Sequence, residues 1–321
     1  MGRALRHRHP RIVGARLKRL LLTGANGFIG RAVLERLDPE RWQVIACSRQ
    51  PAPAALPACV AEWRSVDLLD PEQACALMSE TKASHWLHLA WYTAHGAFWN
   101  ASQNLDWTVA SLLLLKHFAA AGGKHAVMAG TCAEYDWRHG FCREDETPLN
   151  PQSLYGTAKD SLRRLAAAWC AGQGIRFAWG RVFSPFGPGE GRQRFIPAVI
   201  RAMLAGDAVR CSHGRQYRDF LHVADVANGF KTLLETDASG SFNIASATPR
   251  QLRDIVRLLG DITGWRGNPD FGAIPVADDE PPLLIGDNRK LHALGWEPSI
   301  ELVTGLENAV NGWRDREQAP S

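Results

Sequence analysis

The sequence predicts an α/β fold, in which a doubly wound parallel sheet is followed by a smaller, irregular α/β lobe on the C-terminal side. Short apolar runs alternate with helical patterns from Arg19 to Arg181, as in parallel sheets covered by helices on both faces. A glycine-rich turn joins the first apolar run to the first helical pattern. After Arg181 the pattern loosens into Gly/Pro-rich loops and separate helices, which predicts the second lobe.

The predicted elements follow this alternation in order. Strands are predicted at Arg19–Thr23, Gln43–Cys47, Cys59–Val66, His85–Ala90, His125–Ala129 and Ile175–Arg181. Helices are predicted at Phe28–Leu37, Pro71–Glu80, Asn100–Ala121 and Gln152–Ala171, and after the sheet at Pro197–Ala205, Arg250–Thr263 and Leu302–Arg314. Asp38-Pro39 is expected to end the first helix, and Asp70 to cap the second ahead of Pro71.

Composition indicates a soluble globular protein with one large domain or two unequal ones. The 321 residues are 45% hydrophobic and 22% charged, and no apolar run reaches the roughly 18 residues needed to cross a membrane. The seven cysteines form no CxxC pair, which argues against disulfides or structural zinc and favours a reducing cytoplasm. We therefore expect a cytoplasmic protein without a bound metal or a membrane partner.

Charge is concentrated at the N-terminus. Residues 1–19 contain seven Lys/Arg and no acid, although the net charge of the chain is only +4. We interpret residues 1–18 as a basic arm outside the fold and do not expect it to bind nucleic acid, although nucleic-acid or membrane-surface binding is the alternative. The predicted organisation is then a dinucleotide-binding domain at 19–181, to which segments around 209–245 return, and a mostly substrate-binding lobe at 182–314.

The glycine turn reads Thr23-Gly24-Ala25-Asn26-Gly27-Phe28-Ile29-Gly30 and has the spacing GxxGxxG. Gly24 allows a tight turn, Gly27 lets the backbone approach a pyrophosphate, and Gly30 lets the helix pack against the strand. Its position between the first strand and the first helix favours dinucleotide binding over a simple turn.

A second motif, Tyr155-Gly156-Thr157-Ala158-Lys159, lies near the start of a predicted helix. Residues i and i+4 share a helix face, so the phenol and the ammonium should project together. A neighbouring cation favours the phenolate, and we therefore expect Lys159 to lower the pKa of Tyr155 and to make it a general acid or base. The alternative is an exposed helical pair without a catalytic role.

Six segments in this order resemble the extended short-chain dehydrogenase/reductase family, in its nucleotide-sugar epimerase, dehydratase and reductase branch. The resemblance covers residues 19–314. The segments are TGANGFIG, HLAW at 88–91, Asn104 with Thr108, RVFSPFGP at 181–188, RDFLHVAD at 218–225 and DNRKLHALGWEP at 287–298.

The resemblance implies an enzyme that binds NAD(P) on a Rossmann-like sheet, acts on a nucleotide sugar and forms a homodimer. It implies a catalytic set of Thr131, Tyr155 and Lys159, with Lys159 also reaching the nicotinamide ribose. The expected cofactor contacts are Gly24, Asn26, Gly27, Phe28, Ile29, Gly30, Arg31, Ser48, Arg49, Asp67, Leu68, Leu89, Ala90, Tyr155, Lys159 and Val182. The expected substrate contacts are Trp91, Tyr92, Thr131, Ser184 and Arg218, and His95 and Trp99 are further candidates.

Single positions refine these expectations. Asp67 is expected to accept a hydrogen bond from the adenine amino group. Arg218 is expected to bind the diphosphate, with a structural ion pair to Asp219 or Asp225 as the alternative. Ser184 stands where the family has an asparagine, so that substrate contact differs here.

The loop GTCAEYDW at 130–137 bears on the reaction type. The 4,6-dehydratases of the family carry Asp-Glu after the catalytic threonine, whereas Thr131 is followed here by Cys132-Ala133, which cannot move protons in an elimination. We expect Cys132 to pack as a small apolar residue and Glu134 to be structural. Reduction or epimerisation at a ring carbon remains, and the intact catalytic set argues against a binding protein without activity.

Cofactor preference decides between these two reactions. An NAD site usually places an acidic residue at the end of the second strand, but the chain has Cys47-Ser48-Arg49 there. Ser48 and Arg49, with Arg31, are therefore expected to bind the 2′-phosphate of NADPH, with NAD as the alternative cofactor. This favours a reductase of a 4-keto-6-deoxy nucleotide sugar, with Tyr155 as proton donor, over a 4-epimerase.

Overall fold

The computed structural model describes residues 17–277 and 280–318. The predicted basic arm at 1–18 therefore lies outside the described residues, except for Leu17 and Lys18, and Lys18 already begins the first strand. The strands in chain order are β1 (Lys18–Thr23), β2 (Trp42–Ser48), β3 (Val60–Ser65), β4 (His85–His88), β5 (His125–Thr131), β6 (Phe141–Cys142), β7 (Arg176–Val182), β8 (Ser184–Phe186), β9 (Arg210–Cys211), β10 (Tyr217–His222), β11 (Gly240–Ile244), β12 (Pro249–Gln251), β13 (Asp270–Phe271) and β14 (Leu283–Gly286).

The helices cover the sheet faces and build the second lobe. In chain order they are α1 (Phe28–Leu34), α2 (Pro71–Thr81), α3 (Gln103–Ala120), α4 (Leu154–Gln173), α5 (Phe195–Ala205), α6 (Val223–Glu235), α7 (Leu252–Thr263), α8 (Arg289–His292) and α9 (Leu302–Gln318). Among the described residues, no helix combines the length and apolar character needed to cross a membrane.

The central sheet has seven parallel strands in the order β3-β2-β1-β4-β5-β7-β11, which confirms the predicted doubly wound fold. Its inner strands are continuous apolar runs because both faces are covered, and Leu20, Leu21 and Leu22 are fully buried. One core packs the sheet against α1 and α6, and a second packs it against α2, α3 and α4. The strand order reverses between β1 and β4, where open sheets of this kind bind their ligands.

The second lobe is more regular than the sequence predicted. Strand β10, which contains the RDFLH segment, pairs with β8, β12 and β14, and helices α5, α7 and α9 share a third core. These strands were missed because most contain only two to four residues and lack a clear period. The predicted return of residues 209–245 to the first domain holds only for α6 and β11, since β9 and β10 belong to the second lobe.

Element ends differ from prediction where tertiary contacts decide them. Helix α1 ends at Leu34 rather than Leu37, and residues 35–37 form a turn ahead of Pro39. Strand β5 continues to Thr131 because its ladder to β7 extends to Val182. The predicted cap of α2 is confirmed, since the Asp70 carboxylate accepts from the backbone N–H groups of Glu72 and Gln73.

Candidate active site

A cavity of about 760 Å³ lies at the carboxyl ends of β1, β4, β5 and β7 and extends between the two lobes. Its lining includes the glycine turn after β1, the segment after β4, the end of β5 and the residues that follow β7. A cavity of this size is large enough for a small-molecule ligand, and it lies at the point where the strand order reverses.

The glycine turn has the geometry that close approach of a phosphate requires. Gly24 has a φ of +81°, and a Cβ at this position would lie 2.7 Å from the backbone nitrogen of Ala90. A Cβ at Gly30 would lie 2.2 Å from the carbonyl oxygen of Gly24, so only glycine allows α1 to pack this closely. Gly27 caps α1 without a side-chain hydrogen bond, which leaves the backbone at this end open to an anion. The turn therefore fits a dinucleotide pyrophosphate.

Thr131, Tyr155 and Lys159 all line this cavity. Thr131 is the last residue of β5 and is buried, whereas Tyr155 is half-buried in the first turn of α4, with its ring edge-on to Phe98 at a centroid distance of 4.9 Å. Lys159, one turn further along α4, is buried, and its Nζ donates to the carbonyl oxygen of Ala129 at 3.0 Å. The structure therefore brings the three sequence-predicted catalytic groups to one cavity.

The pKa of Tyr155 differs from the sequence prediction. Burial raises the pKa of the phenol above its usual value of 10.0, and the hydroxyl of Thr131 only partly opposes this effect. Lys159 has no lowering influence on this pKa that could outweigh burial, so the predicted lowering is wrong for the ligand-free protein. Tyr155 is consequently a neutral phenol at neutral pH and can donate a proton.

Burial also acts on Lys159, whose pKa is lowered to about 7. Its ammonium lies 3.7 Å from the centroid of the Trp91 ring, which offers a cation–π contact. The Trp91 indole N–H donates to the Asn104 side-chain oxygen at 2.9 Å, and the Asn104 amide donates to the carbonyl of Phe98 at 2.7 Å. Asn104 thus fixes the Trp91 ring beside the Lys159 ammonium. The Thr108 hydroxyl donates a hydrogen bond to the backbone carbonyl of Asn104.

We expect Lys159→Met to stabilise the ligand-free protein, and to do so most at low pH. A folded-state pKa of about 7 against a usual value of 10.5 means that the folded protein carries the full cost of a buried cation below pH 7. Between about pH 7 and 10.5 the folded wild type releases this proton while the unfolded chain keeps it, so the cost falls as the pH rises. The stability advantage of the variant over the wild type should therefore shrink across this range. Thermal unfolding at pH 6 and pH 9 measures the stability difference, and Lys116→Met, at an exposed position, is the control. A Lys159→Met protein that is less stable than wild type at pH 6 would contradict the prediction.

Glu134 is structural, as the sequence predicted, and holds the loop that carries Thr131. It is fully buried and pairs with buried Arg181, whose Nε donates to the carboxylate at 2.6 Å. The Trp179 indole donates to it at 2.9 Å, and the backbone N–H of Thr131 donates to it at 2.8 Å. Cys132 packs against the cluster around Tyr135, and burial raises the pKa of its thiol to about 12, so it is not a nucleophile at neutral pH.

Most of the expected cofactor contacts line the cavity. These are Gly24, Asn26, Gly27, Phe28, Ile29, Gly30, Ser48, Arg49, Leu68, Leu89, Ala90, Tyr155, Lys159 and Val182. Arg31 and Asp67 do not line it: the Arg31 guanidinium donates to the carbonyl of Gly189 at 3.4 Å, and exposed Asp67 accepts from the backbone of Leu69. The sequence analysis did not name Gln50, which lines the cavity and accepts a hydrogen bond from Asn26. Its position directly after Arg49 could have indicated that it belongs to the cofactor side of the site.

The substrate side of the cavity matches prediction less closely. Trp91, Thr131, Ser184 and Arg218 line it, as do His95 and Trp99, whereas Tyr92 packs against the core around α3 and β5. Arg218 forms an ion pair with Glu280, so the predicted alternative of pairing with Asp219 or Asp225 is wrong. Those two carboxylates instead accept from backbone N–H groups, of Ser246 and Ala247 for Asp219 and of Ile300 for Asp225. Arg218 is therefore already paired with a carboxylate in this structure.

Two further cavity residues, Glu190 and Arg194, carry charges that the sequence did not single out. Glu190 is buried, its pKa is raised to about 8 by burial against the opposing effect of Arg194, and its Oε2 has no hydrogen-bond partner in the described part of the chain. Arg194 immediately precedes α5 and lies with its guanidinium 5.6 Å from the Phe98 ring centroid. No spacing rule in the sequence marks them, because the chain that carries them is an irregular loop.

The chain is similar to known proteins in both sequence and structure. A family model described as the NAD dependent epimerase/dehydratase family matches residues 20–245. CDP-abequose synthase of Salmonella typhimurium is 26% identical over 307 residues, which cover 91% of this chain and 97% of that protein. UDP-glucose 4-epimerase of Azospirillum brasilense is 26% identical over 333 residues, covering 94% of this chain and 93% of that protein. The structure of MoeE5 in complex with UDP-glucuronic acid and NAD superposes with a TM-score of 0.81 at 26% identity, covering 93% of this chain and 99% of that one.

Proposed function

From the premise that the chain belongs to the NAD-dependent epimerase/dehydratase family and is an enzyme acting on a nucleotide sugar, we propose that it reduces a keto nucleotide sugar with NADPH. The proposed substrate is of the 4-keto-6-deoxy type. The family alone does not select this reaction, since the relatives include an epimerase and a synthase.

The observation that carries the proposal is the polar composition of the cavity at the end of β2. Ser48, Arg49 and Gln50 line it there. Among the described lining residues the only carboxylates are Glu190 and Glu280, and both come from the second lobe. A carboxylate at the end of β2 would bind ribose hydroxyls and repel a 2′-phosphate, whereas a guanidinium and a hydroxyl can donate to one. Because cells keep NADP largely reduced, an NADPH site favours net reduction.

The protonation state of Tyr155 supports the same direction. A phenol whose pKa is raised by burial holds its proton at neutral pH, which suits protonation of a carbonyl oxygen. Oxidation of an alcohol, the first half of an epimerisation, instead requires the phenolate.

In the proposed mechanism the substrate carbonyl oxygen lies between the hydroxyls of Thr131 and Tyr155. Thr131 donates a hydrogen bond that orients and polarises the carbonyl. A dinucleotide held by the glycine turn, Ser48, Arg49 and Lys159 would supply the hydride for the carbonyl carbon. Tyr155 gives its proton to the oxygen, so the ketone becomes a secondary alcohol, and water returns a proton to the phenolate. Glu134 holds the loop of Thr131 in place during these steps.

The second candidate is a nucleotide-sugar 4-epimerase that keeps NAD tightly bound. It is favoured by the Azospirillum brasilense relative and by the NAD in the MoeE5 complex. Both candidates use the same three catalytic groups, so the cofactor and the overall redox balance must separate them. Incubation with NADPH and a set of keto nucleotide sugars should consume the cofactor in proportion to product if the protein is a reductase, and should not do so if it is an epimerase.

Arg49→Glu tests the cofactor assignment. The wild type is expected to bind NADPH at least tenfold more tightly than NADH, and the variant to lose about 10- to 100-fold in NADPH affinity, because a charge-assisted hydrogen bond to the 2′-phosphate is replaced by repulsion. NADH affinity should change little. Titration of both nucleotides against wild type, Arg49→Glu and the exposed control Arg266→Glu measures this. Equal or tighter binding of NADH by the wild type would remove the argument for a reductase over an epimerase.

A further inference from the structure

Two buried histidines and an aspartate lie together at the end of the sheet opposite the cavity. His85 is the first residue of β4, His125 is the first residue of β5, and the two are direct partners in the parallel ladder. Asp237 lies in the turn between α6 and β11. One nitrogen of each histidine and one oxygen of Asp237 all lie within 4.8 Å of one another.

In each imidazole one nitrogen is hydrogen-bonded and the other has no hydrogen-bond partner among the described residues. The Nε2 atom of His125 lies 3.2 Å from the carbonyl oxygen of Ala238, which can only accept, so that nitrogen carries the proton. The Ser84 hydroxyl donates to the carbonyl of Arg19 and lies 2.9 Å from Nδ1 of His85, so it accepts a hydrogen bond from an N–H at Nδ1. The other nitrogens, Nδ1 of His125 and Nε2 of His85, are buried and have no hydrogen-bond partner among the described residues. Both rings therefore present a free lone pair.

This arrangement is that of metal-binding histidines, whose second N–H is usually held by a carbonyl or another oxygen. Both side chains are buried, and each ring keeps one nitrogen that no described residue bonds, so each can coordinate an ion. Within the described part of the chain, two buried lone pairs are left without a partner unless an ion binds, which is costly.

We propose that His85, His125 and Asp237 bind a zinc ion, with water as the fourth ligand. Two imidazole nitrogens and a carboxylate oxygen suit Zn²⁺ in tetrahedral geometry. Ligand atoms around zinc lie about 3.3 Å apart in that geometry, so separations of up to 4.8 Å must shorten by as much as about 1.5 Å when the ion binds. The Asp237 carboxylate, 4.0 Å from Nδ1 of His125 and 44% exposed, is the most exposed of the three and would move together with Arg176, its ion-pair partner.

Two basic side chains, Arg176 and Lys18, lie near the site. Arg176 donates to the Asp237 carboxylate at 2.9 Å. The positive charges of Lys18 and Arg176 oppose further positive charge at both histidines, so the ligands must hold the ion against them. Arg176 is bonded to Oδ1, the oxygen nearest His125, so it would have to shift to Oδ2 when Oδ1 binds the ion and would then support the ligand as hydrogen-bond donors beside metal sites do. The ion would join the starts of β4 and β5 to the turn before β11, far from the catalytic groups, so its role would be structural.

The test is zinc binding to the full chain, purified without an affinity tag and freed of metal by dialysis. We expect one tightly bound Zn²⁺ per chain, a melting temperature that rises with zinc concentration, and a Co²⁺ complex with the strong visible absorption of four-coordinate sites. Asp237→Asn, at an exposed position that should not disturb folding, is expected to weaken binding at least tenfold, and His125→Ala to abolish it. Exposed His139→Ala is the matched control.

Other ligands in the chain must be separated from this site. His7 and His9 lie outside the described residues, so the titration is repeated with both replaced by alanine, and binding should persist. A thiolate-to-cobalt absorption band would assign the ion to a cysteine and overturn the proposal. So would the absence of stoichiometric binding in the wild type, or wild-type affinity in both Asp237→Asn and His125→Ala.

Discussion

Replacing Tyr155 with Phe is expected to lower turnover by two or more orders of magnitude while leaving NADPH affinity close to that of wild type. The substitution removes only the hydroxyl that protonates the substrate oxygen, and general acid catalysis by a positioned side chain typically contributes 10²- to 10⁴-fold. The ring keeps its contacts with Phe98 and Trp99, so the cavity wall should keep its shape. Turnover under saturating substrate and a separate NADPH titration measure the two effects.

Tyr92→Phe is the matched control, because Tyr92 loses the same hydroxyl but packs on the core and does not line the cavity. It should turn over at the wild-type rate. A Tyr155→Phe protein with full activity would end the proposed mechanism, whatever the cofactor preference. Loss of NADPH binding together with turnover would instead place Tyr155 in the cofactor site alone.

Glu134→Gln is expected to lower the free energy of unfolding by about 3–5 kcal/mol. The change leaves the Arg181 guanidinium, itself 1% exposed, buried without its counter-ion, and removal of one partner of a buried pair carries a cost of about this size. The remaining acceptor compensates little, since among the described residues the Arg181 guanidinium otherwise donates a hydrogen bond only to the phenol oxygen of Tyr135, at 3.1 Å. Chemical denaturation of wild type and variant measures the difference.

The double variant Glu134→Leu/Arg181→Met separates stability from catalysis. Replacing a buried pair by apolar residues is often close to neutral, so most of the lost stability should return. Turnover of the double variant should nevertheless be below that of wild type, because the backbone N–H of Thr131 no longer has the Glu134 carboxylate to hold its loop. Asp254→Asn, which breaks an exposed pair with Arg257, is the control and should cost less than about 1 kcal/mol. A double variant with wild-type turnover would show that Glu134 does not position Thr131.

Local rules allowed the sequence to predict the sheet, the glycine turn and the Tyr155/Lys159 pair. A strand buried on both faces must be an apolar run, a tight turn beside a strand must contain glycine, and residues four apart on a helix must share a face. Each rule involves only a few neighbouring residues, so it can be applied before any fold is known. The structural role of Glu134 was also predicted.

The tertiary structure alone decided which groups are buried and which meet. The pKa of Tyr155 is raised rather than lowered because burial outweighs any effect of Lys159, and burial depends on Phe98 and Trp99, more than 50 positions earlier in the chain. Arg218 meets Glu280, 62 positions away, rather than its sequence neighbours. His85 and His125 face each other because two strands adopt one register. Desolvation and ion pairing depend on the distances between groups in the folded chain, and no spacing along the sequence sets those distances.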